Sequence, residues 1–175
     1  LHKSLSPDEY QQILKSLHDD VRGLTDTAEK LLQLAKLNSE AAEIVFSDIR
    51  LDEIVLQSRD MLQKMHPDYA VVLEIKDMPE SEELLLIKAN EPLLRTALLN
   101  LFDNGCKFSP DHKVRVNIRF SATGAHTVCV QDNGPGIPES DLKRIFEPFF
   151  RSTSNMHIKG SGVGLSLVES ILRLH

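Results

Sequence analysis

From Tyr10 onward the apolar residues Leu14, Leu17, Val21, Leu24, Ala28, Leu31 and Ala35 return at alternating steps of four and three. A strand turns successive side chains to opposite faces and cannot use this spacing, whereas an α-helix gathers it into one narrow stripe. Such a stripe is the seam of a coiled coil or an antiparallel helical bundle. Ser6-Pro7-Asp8-Glu9 supplies the start: a serine cap, proline at the first helical position, and a glutamate placed to return a hydrogen bond to the cap. No other segment nearby offers an equally long apolar face. The first 45 residues are therefore expected to form a dimerising helical stalk.

Polar residues from Asn38 to Glu43 loosen the pattern, which puts a domain boundary near residue 45 and leaves 46–175 as a second unit. Asp52 to Lys64 suggests a helix stopped by His66-Pro67. Tyr69 to Lys76 and Leu84 to Lys88 read as strands joined by a polar turn at Met78-Pro79-Glu80. Asn90-Glu91-Pro92 caps a helix with a broad apolar stripe of Leu93, Leu94, Ala97, Leu98, Leu101 and Phe102, ended by Ser109-Pro110-Asp111. Val114 to Phe120 and His126 to Gln131 alternate as the two strands of a hairpin with its turn at 121–125. A short helix from Pro138 to Phe146, a loop from Arg151 to Gly162 and a last helix from Val163 to Leu174 complete an α+β chain.

Four segments carry chemistry. Asn100, Asn104 and Lys107 share one polar face of the third helix, where carboxamide oxygens and an ammonium suit Mg²⁺ and phosphate oxygens. Asp132-Asn133-Gly134-Pro135-Gly136-Ile137 follows a strand; its carboxylate only accepts hydrogen bonds, so it matches the exocyclic amine of adenine and is repelled by the carbonyl of guanine. Phe146-Glu147-Pro148-Phe149-Phe150-Arg151 is an aromatic cluster ending in a cation, and by itself reads as core packing. Gly160-Ser161-Gly162-Val163-Gly164-Leu165 opens a helix, whose bare peptide N–H groups can cradle phosphate. It is neither a dinucleotide-binding fingerprint nor a P-loop, because Leu165 stands where the third glycine would be and no Gly-Lys-Ser/Thr follows. The net charge of −6 excludes a general affinity for nucleic acid or anionic membrane, so a bound phosphate has to be met locally. The two cysteines, Cys106 and Cys129, are too few for a disulfide framework and are expected to be free, part-buried thiols.

In this order and spacing the four segments resemble the N, G1, F and G2 boxes of the catalytic ATP-binding domain of sensor histidine kinases. The stalk resembles the second helix of that family's dimerisation and phosphotransfer domain, including its Leu31-Leu32-Gln33-Leu34-Ala35-Lys36-Leu37 ending. The resemblance implies the two-layer α/β sandwich of the GHKL (Bergerat) ATP-binding fold. It implies Mg²⁺ on Asn104 with Asn100 in support, and phosphate oxygens at Lys107. Asp132 would hold the adenine amine, Gly134 and Gly136 would shape its slot, and Arg151 would approach the γ-phosphate. Gly162 and Gly164 would donate peptide N–H groups, with Ile137, Phe146, Gly160, Val163 and Leu165 completing the nucleotide site. The loop between Arg151 and Ser161 looks like the family's ATP lid.

The same resemblance implies ATP and Mg²⁺ as cofactors, a homodimer, a response regulator receiver domain as partner, and a cytoplasmic position, with membrane anchoring only through segments outside these residues. His18-Asp19-Asp20-Val21-Arg22 is tempting as the phosphoacceptor motif, but no proline follows it and it leaves no room for a second bundle helix. The acceptor histidine is expected upstream, and the sheet's last two strands downstream, so that this stretch alone would bind ATP without phosphorylating itself. Two other readings stand beside the kinase: an ATP-hydrolysing relative of gyrase, which would normally carry a glutamate where Asn100 stands, and a non-catalytic dimerising scaffold.

Overall fold

The computed structural model describes residues 6–39, 43–76, 78–121, 125–153, 158 and 160–175. Its first element is α1 (Pro7–Ser39). The expected cap forms in full: the Ser6 peptide N–H donates to Glu9 Oε2 at 2.7 Å and the Glu9 N–H to Ser6 Oγ at 3.3 Å. There follow β1 (Ser47–Arg50), α2 (Leu51–Met65), β2 (Ala70–Lys76), a 3-10 turn (Glu82–Leu85) and β3 (Leu86–Ala89). Then come α3 (Glu91–Phe108), β4 (Lys113–Arg119), β5 (Thr127–Asp132) and α4 (Gly164–Leu174).

The strands form two small sheets. β1 pairs antiparallel with β3, while β4 lies between β2, parallel to it, and β5, antiparallel. The two strands expected on either side of Met78-Pro79-Glu80 are thus not partners, because β2 pairs with β4 beyond α3 and β3 turns back to β1. The β4–β5 register runs from Arg119 opposite Thr127 to Val114 opposite Asp132 and leaves the carboxylate at the strand's end. The short helix expected from Pro138 to Phe146 is instead a run of turns, with Asp141 N–H on Pro138 O (2.9 Å) and Arg144 N–H on Asp141 O (2.8 Å). So short a segment, bounded by Pro138 and Pro148, gains too few hydrogen bonds to repay helix nucleation. Residues 122–124, in the hairpin turn, and 154–157 and 159, in the expected lid, lie outside the described residues.

Alternation on the sheet turns Val71, Val114, Val116 and Ile118 inward against Ile54, Val55 and Leu62 of α2 and Leu94, Leu98, Phe102 and Cys106 of α3. Helices cover one face of this sheet; on the other, Arg115, Arg119 and Cys129 are exposed, which makes a two-layer α/β sandwich. Both cysteines are free, as expected, but only Cys106 is buried, and burial pushes its thiol up to about 11. A second core joins Ala97 of α3 to Leu167, Val168 and Ile171 of α4 and to Leu37 near the end of α1. The stalk therefore docks by its last turns on the α4 side, while Tyr10, Leu14, Leu17, Val21 and Leu24 are all more than half exposed. No described helix is long and apolar enough to cross a membrane.

Candidate functional site

Helix α3 has two faces with different tasks. Leu94, Leu98, Phe102 and Cys106 hold it to the sheet, which leaves the Asn100, Asn104 and Lys107 stripe on the wall of a cavity of about 310 Å³. Gly105 is what lets the helix lie so close to β4, since a Cβ there would stand 2.8 Å from Val114 Cγ2. The cavity is closed by Asp132 and Val130 at the end of β5, by Gly136, Ile137, Pro138, Ile145 and Phe150 from the irregular stretch after it, and by the glycine-rich entry to α4.

Asn100 is buried, and its amide donates to the Thr96 carbonyl at 2.8 Å, so its oxygen is turned across the gap towards α4. A Cβ at Gly164 would lie 3.0 Å from that oxygen and 3.8 Å from Asn104 Nδ2. The missing side chain thus leaves a space walled by carboxamides beside the first turn of α4, where Val163 makes no side-chain cap and the leading N–H groups have no partners within the helix. Lys107 enters from the other side, its Nζ 3.2 Å from the Cβ place of Gly160. Burial pushes the Lys107 ammonium below the usual lysine range; the carboxylate of Asp103 opposes this, and the cations Lys30 and Arg151 reinforce it. Arg151 donates from Nη2 to the Ile158 carbonyl at 2.7 Å, and both residues line the cavity.

At the far end, Asp132 Oδ1 accepts the Gly134 peptide N–H at 2.7 Å, and the Asn133 N–H donates to the buried Ser109 Oγ at 3.2 Å. Gly134 is required by closeness, since a Cβ there would meet Asp132 Oδ1 at 2.7 Å and the Phe108 carbonyl at 2.9 Å; it buttresses the carboxylate and does not line the cavity. Gly136, at φ 78°, does line it. Gly162, at φ 73°, is clamped to the aromatic cluster: Phe149 N–H donates to its carbonyl at 3.0 Å, and a Cβ would stand 2.7 Å from the Phe149 carbonyl carbon.

Of the sequence-predicted site residues, Asn100, Asn104, Lys107, Asp132, Gly136, Ile137, Arg151, Gly160, Gly162, Gly164 and Leu165 line this one cavity. Gly134, Phe146 and Val163 do not: Val163 is fully buried and Phe146 is 40% exposed. The aromatic on the wall is Phe150, with the Arg144 guanidinium 4.4 Å over its ring. The sequence reading missed Asp103 and Lys30, both of which line the cavity. Asp103 had a local signal, four residues before Lys107 on the same helix face; Lys30 had none.

Among the described residues no three His, Cys, Asp or Glu gather to hold a metal. Asn100 and Asn104 carry carboxamide oxygens, hard donors that would suit Mg²⁺ where a phosphate supplies the rest of its oxygens. An apolar slot with one carboxylate, leading to a cationic, N–H-rich end, can take a flat amine-bearing ring followed by a chain of phosphates.

Comparison with known proteins agrees with this geometry. Residues 89–175 match the family model of the histidine kinase-, DNA gyrase B- and HSP90-like ATPases. The adaptive-response sensory kinase SasA of Rippkaea orientalis is 32% identical over 167 residues, covering 95% of this chain and 41% of its own length. Among solved structures, the mycobacterial sensor histidine kinase MprB superposes with a TM-score of 0.62 at 26% identity, over 75% of this chain and 80% of that one. Full-length ShkA in complex with AMPPNP shares the fold, with a TM-score of 0.72 at 22% identity over 98% of this chain and 35% of that one. The chain spans about two fifths of the length of the SasA relative. By residues 89–175 the chain belongs to the histidine kinase-, DNA gyrase B- and HSP90-like ATPase family.

Proposed function

We propose that this region positions ATP for transfer of its γ-phosphate to a histidine imidazole, for relay to an aspartate on a response regulator receiver domain. The observation that carries the reading is the meeting of Asp132, the Asn100–Lys107 stripe and the Gly160–Leu165 run in one cavity. Asp132 accepts the adenine amine, Gly136 and Ile137 bound the ring, and Lys107 and the first N–H groups of α4 take phosphate oxygens. Arg151 serves the γ-phosphate end. Asn104, with Asn100 in support, would hold Mg²⁺, which would supply positive charge beside the phosphates. In the transfer the imidazole nitrogen bonds to the γ-phosphorus as the bridge oxygen leaves with ADP. An amide at Asn100 cannot take a proton from water, so hydrolysis lacks the general base that an ATPase of this fold would use.

Residues 1–45 serve as one helix of a dimerising stalk and 46–175 as the catalytic unit, in a sensor whose catalytic part faces the cytoplasm. His18 is not the acceptor: it is exposed, beside Asp19 at 3.5 Å, and about 18 Å along α1 from Lys30 at the cavity, at 1.5 Å per residue. Calorimetric titration with Mg-ATP tests the reading. Binding at micromolar to low millimolar strength, abolished in Asp132→Asn, is expected; no binding by the unsubstituted chain refutes it, and radiolabel from γ-labelled ATP appearing on His18 refutes the acceptor assignment.

A further inference from the structure

The face of α1 that docks on α4 is not its seam. Leu34 and Leu37 lie roughly half a turn round the helix from Ala28 and pack against Ala97, Leu167 and Ile171. Lys30 lies on that docked face one turn before Leu34, and it lines the nucleotide cavity. Its own helix offers a partner, Asp26, one turn earlier, at the spacing where acid and base commonly pair. No ion pair joins them, and among the described residues no carboxylate lies within ion-pair distance of Lys30.

The walls of the cavity carry three cations, Lys30, Lys107 and Arg151, against two carboxylates, Asp103 and Asp132, within a chain of net charge −6. Asp132 already accepts the Gly134 N–H. Among the described lining residues the cavity thus carries three cations against two carboxylates, and Asp103 is the carboxylate felt at Lys107. Crowding like charges at a cavity mouth is unfavourable unless a polyanion occupies it. The charge of Lys30 is also felt at Lys107.

We infer that Lys30 is a third phosphate-binding cation, supplied by the stalk helix to the nucleotide cavity of its own chain, so that a bound triphosphate tightens the docking of the end of the stalk on the catalytic layer. The inference rests on the nucleotide reading of the cavity. It assigns Lys30 a positioning role distinct from the apolar contact of Leu37, because only the cation responds to the number of phosphates.

The test compares the unsubstituted chain with Lys30→Met, which keeps an unbranched stem and helix propensity, and with Lys30→Arg. Each is titrated with Mg-ATP and with AMP. Lys30→Met is expected to weaken Mg-ATP about tenfold and AMP less than about twofold, with Lys30→Arg restoring most of the loss. Hydrogen exchange gives a second readout: Mg-ATP slows the amides around Leu34 in the unsubstituted chain and leaves them unchanged in Lys30→Met. Unaltered Mg-ATP affinity in Lys30→Met overturns the inference, and so does an equal loss for ATP and AMP, which would mean lost packing alone. An unsubstituted chain that binds no ATP overturns the nucleotide reading, and this inference with it.

Discussion

Gly162 holds together two segments that the sequence presents as separate signals, the aromatic cluster and the glycine run. At φ 73°, with a Cβ place 2.7 Å from the Phe149 carbonyl carbon and 2.8 Å from the Phe150 carbonyl oxygen, it tolerates no side chain. Phe149 itself adopts φ 67°, a conformation unfavourable for a bulky residue, and donates its N–H to the Gly162 carbonyl. Gly162→Ala is expected to cost about 2 kcal/mol or more, read as a lowered urea midpoint, and to weaken Mg-ATP binding by displacing the entry to α4. The glycine is legible in the sequence as a place where peptide N–H groups can lie bare. Its second task is not, because the contact needs Phe149 brought back against it by a loop whose path no periodicity encodes. Phe146 lies off the cavity wall for the same reason: three phenylalanines lie within five positions, and only the folded turn decides that Phe150 is the one at the wall.

Helices α1 and α3 show how far periodicity reaches. For α3 it reaches to the site, since Asn90 caps the helix by accepting the Leu93 N–H at 3.1 Å, and the apolar stripe then fixes which face is left for Asn100, Asn104 and Lys107. For α1 it finds the seam and misses the docking face. Leu34 and Leu37 fall outside the repeat and have meaning only once α4 exists to receive them. Leu37→Ala is expected to cost about 2–3 kcal/mol in denaturant titration, as for a buried leucine whose site collapses only in part. A change of less than about 0.5 kcal/mol would show the docked end to be loose in solution. Strand pairing was the least legible, because the turn at Met78-Pro79-Glu80 looks local while β2 and β3 each find partners elsewhere in the chain.

For the molecule as a whole, the exposed seam from Tyr10 to Leu24 is the surface on which the proposed dimer rests. Among the described residues nothing buries it, and an apolar stripe of that length in water is best covered by a second helix of its own kind. Replacing Leu17 and Leu24 together by lysine is expected to turn a dimer into a monomer in sedimentation velocity, with Mg-ATP affinity kept within about twofold. A monomeric unsubstituted chain would contradict it. The two-faced α3 has a further consequence, for how such a pocket can evolve. Each cavity residue of that helix shares a turn with Leu98, Phe102 or Cys106, so drift there disturbs the core as well as the ligand. Ile137, Pro138, Ile145 and Phe150 sit on irregular backbone and carry no such double duty. A lineage under pressure from a competitive inhibitor has its freedom on that wall, and the helical wall stays as an inheritance.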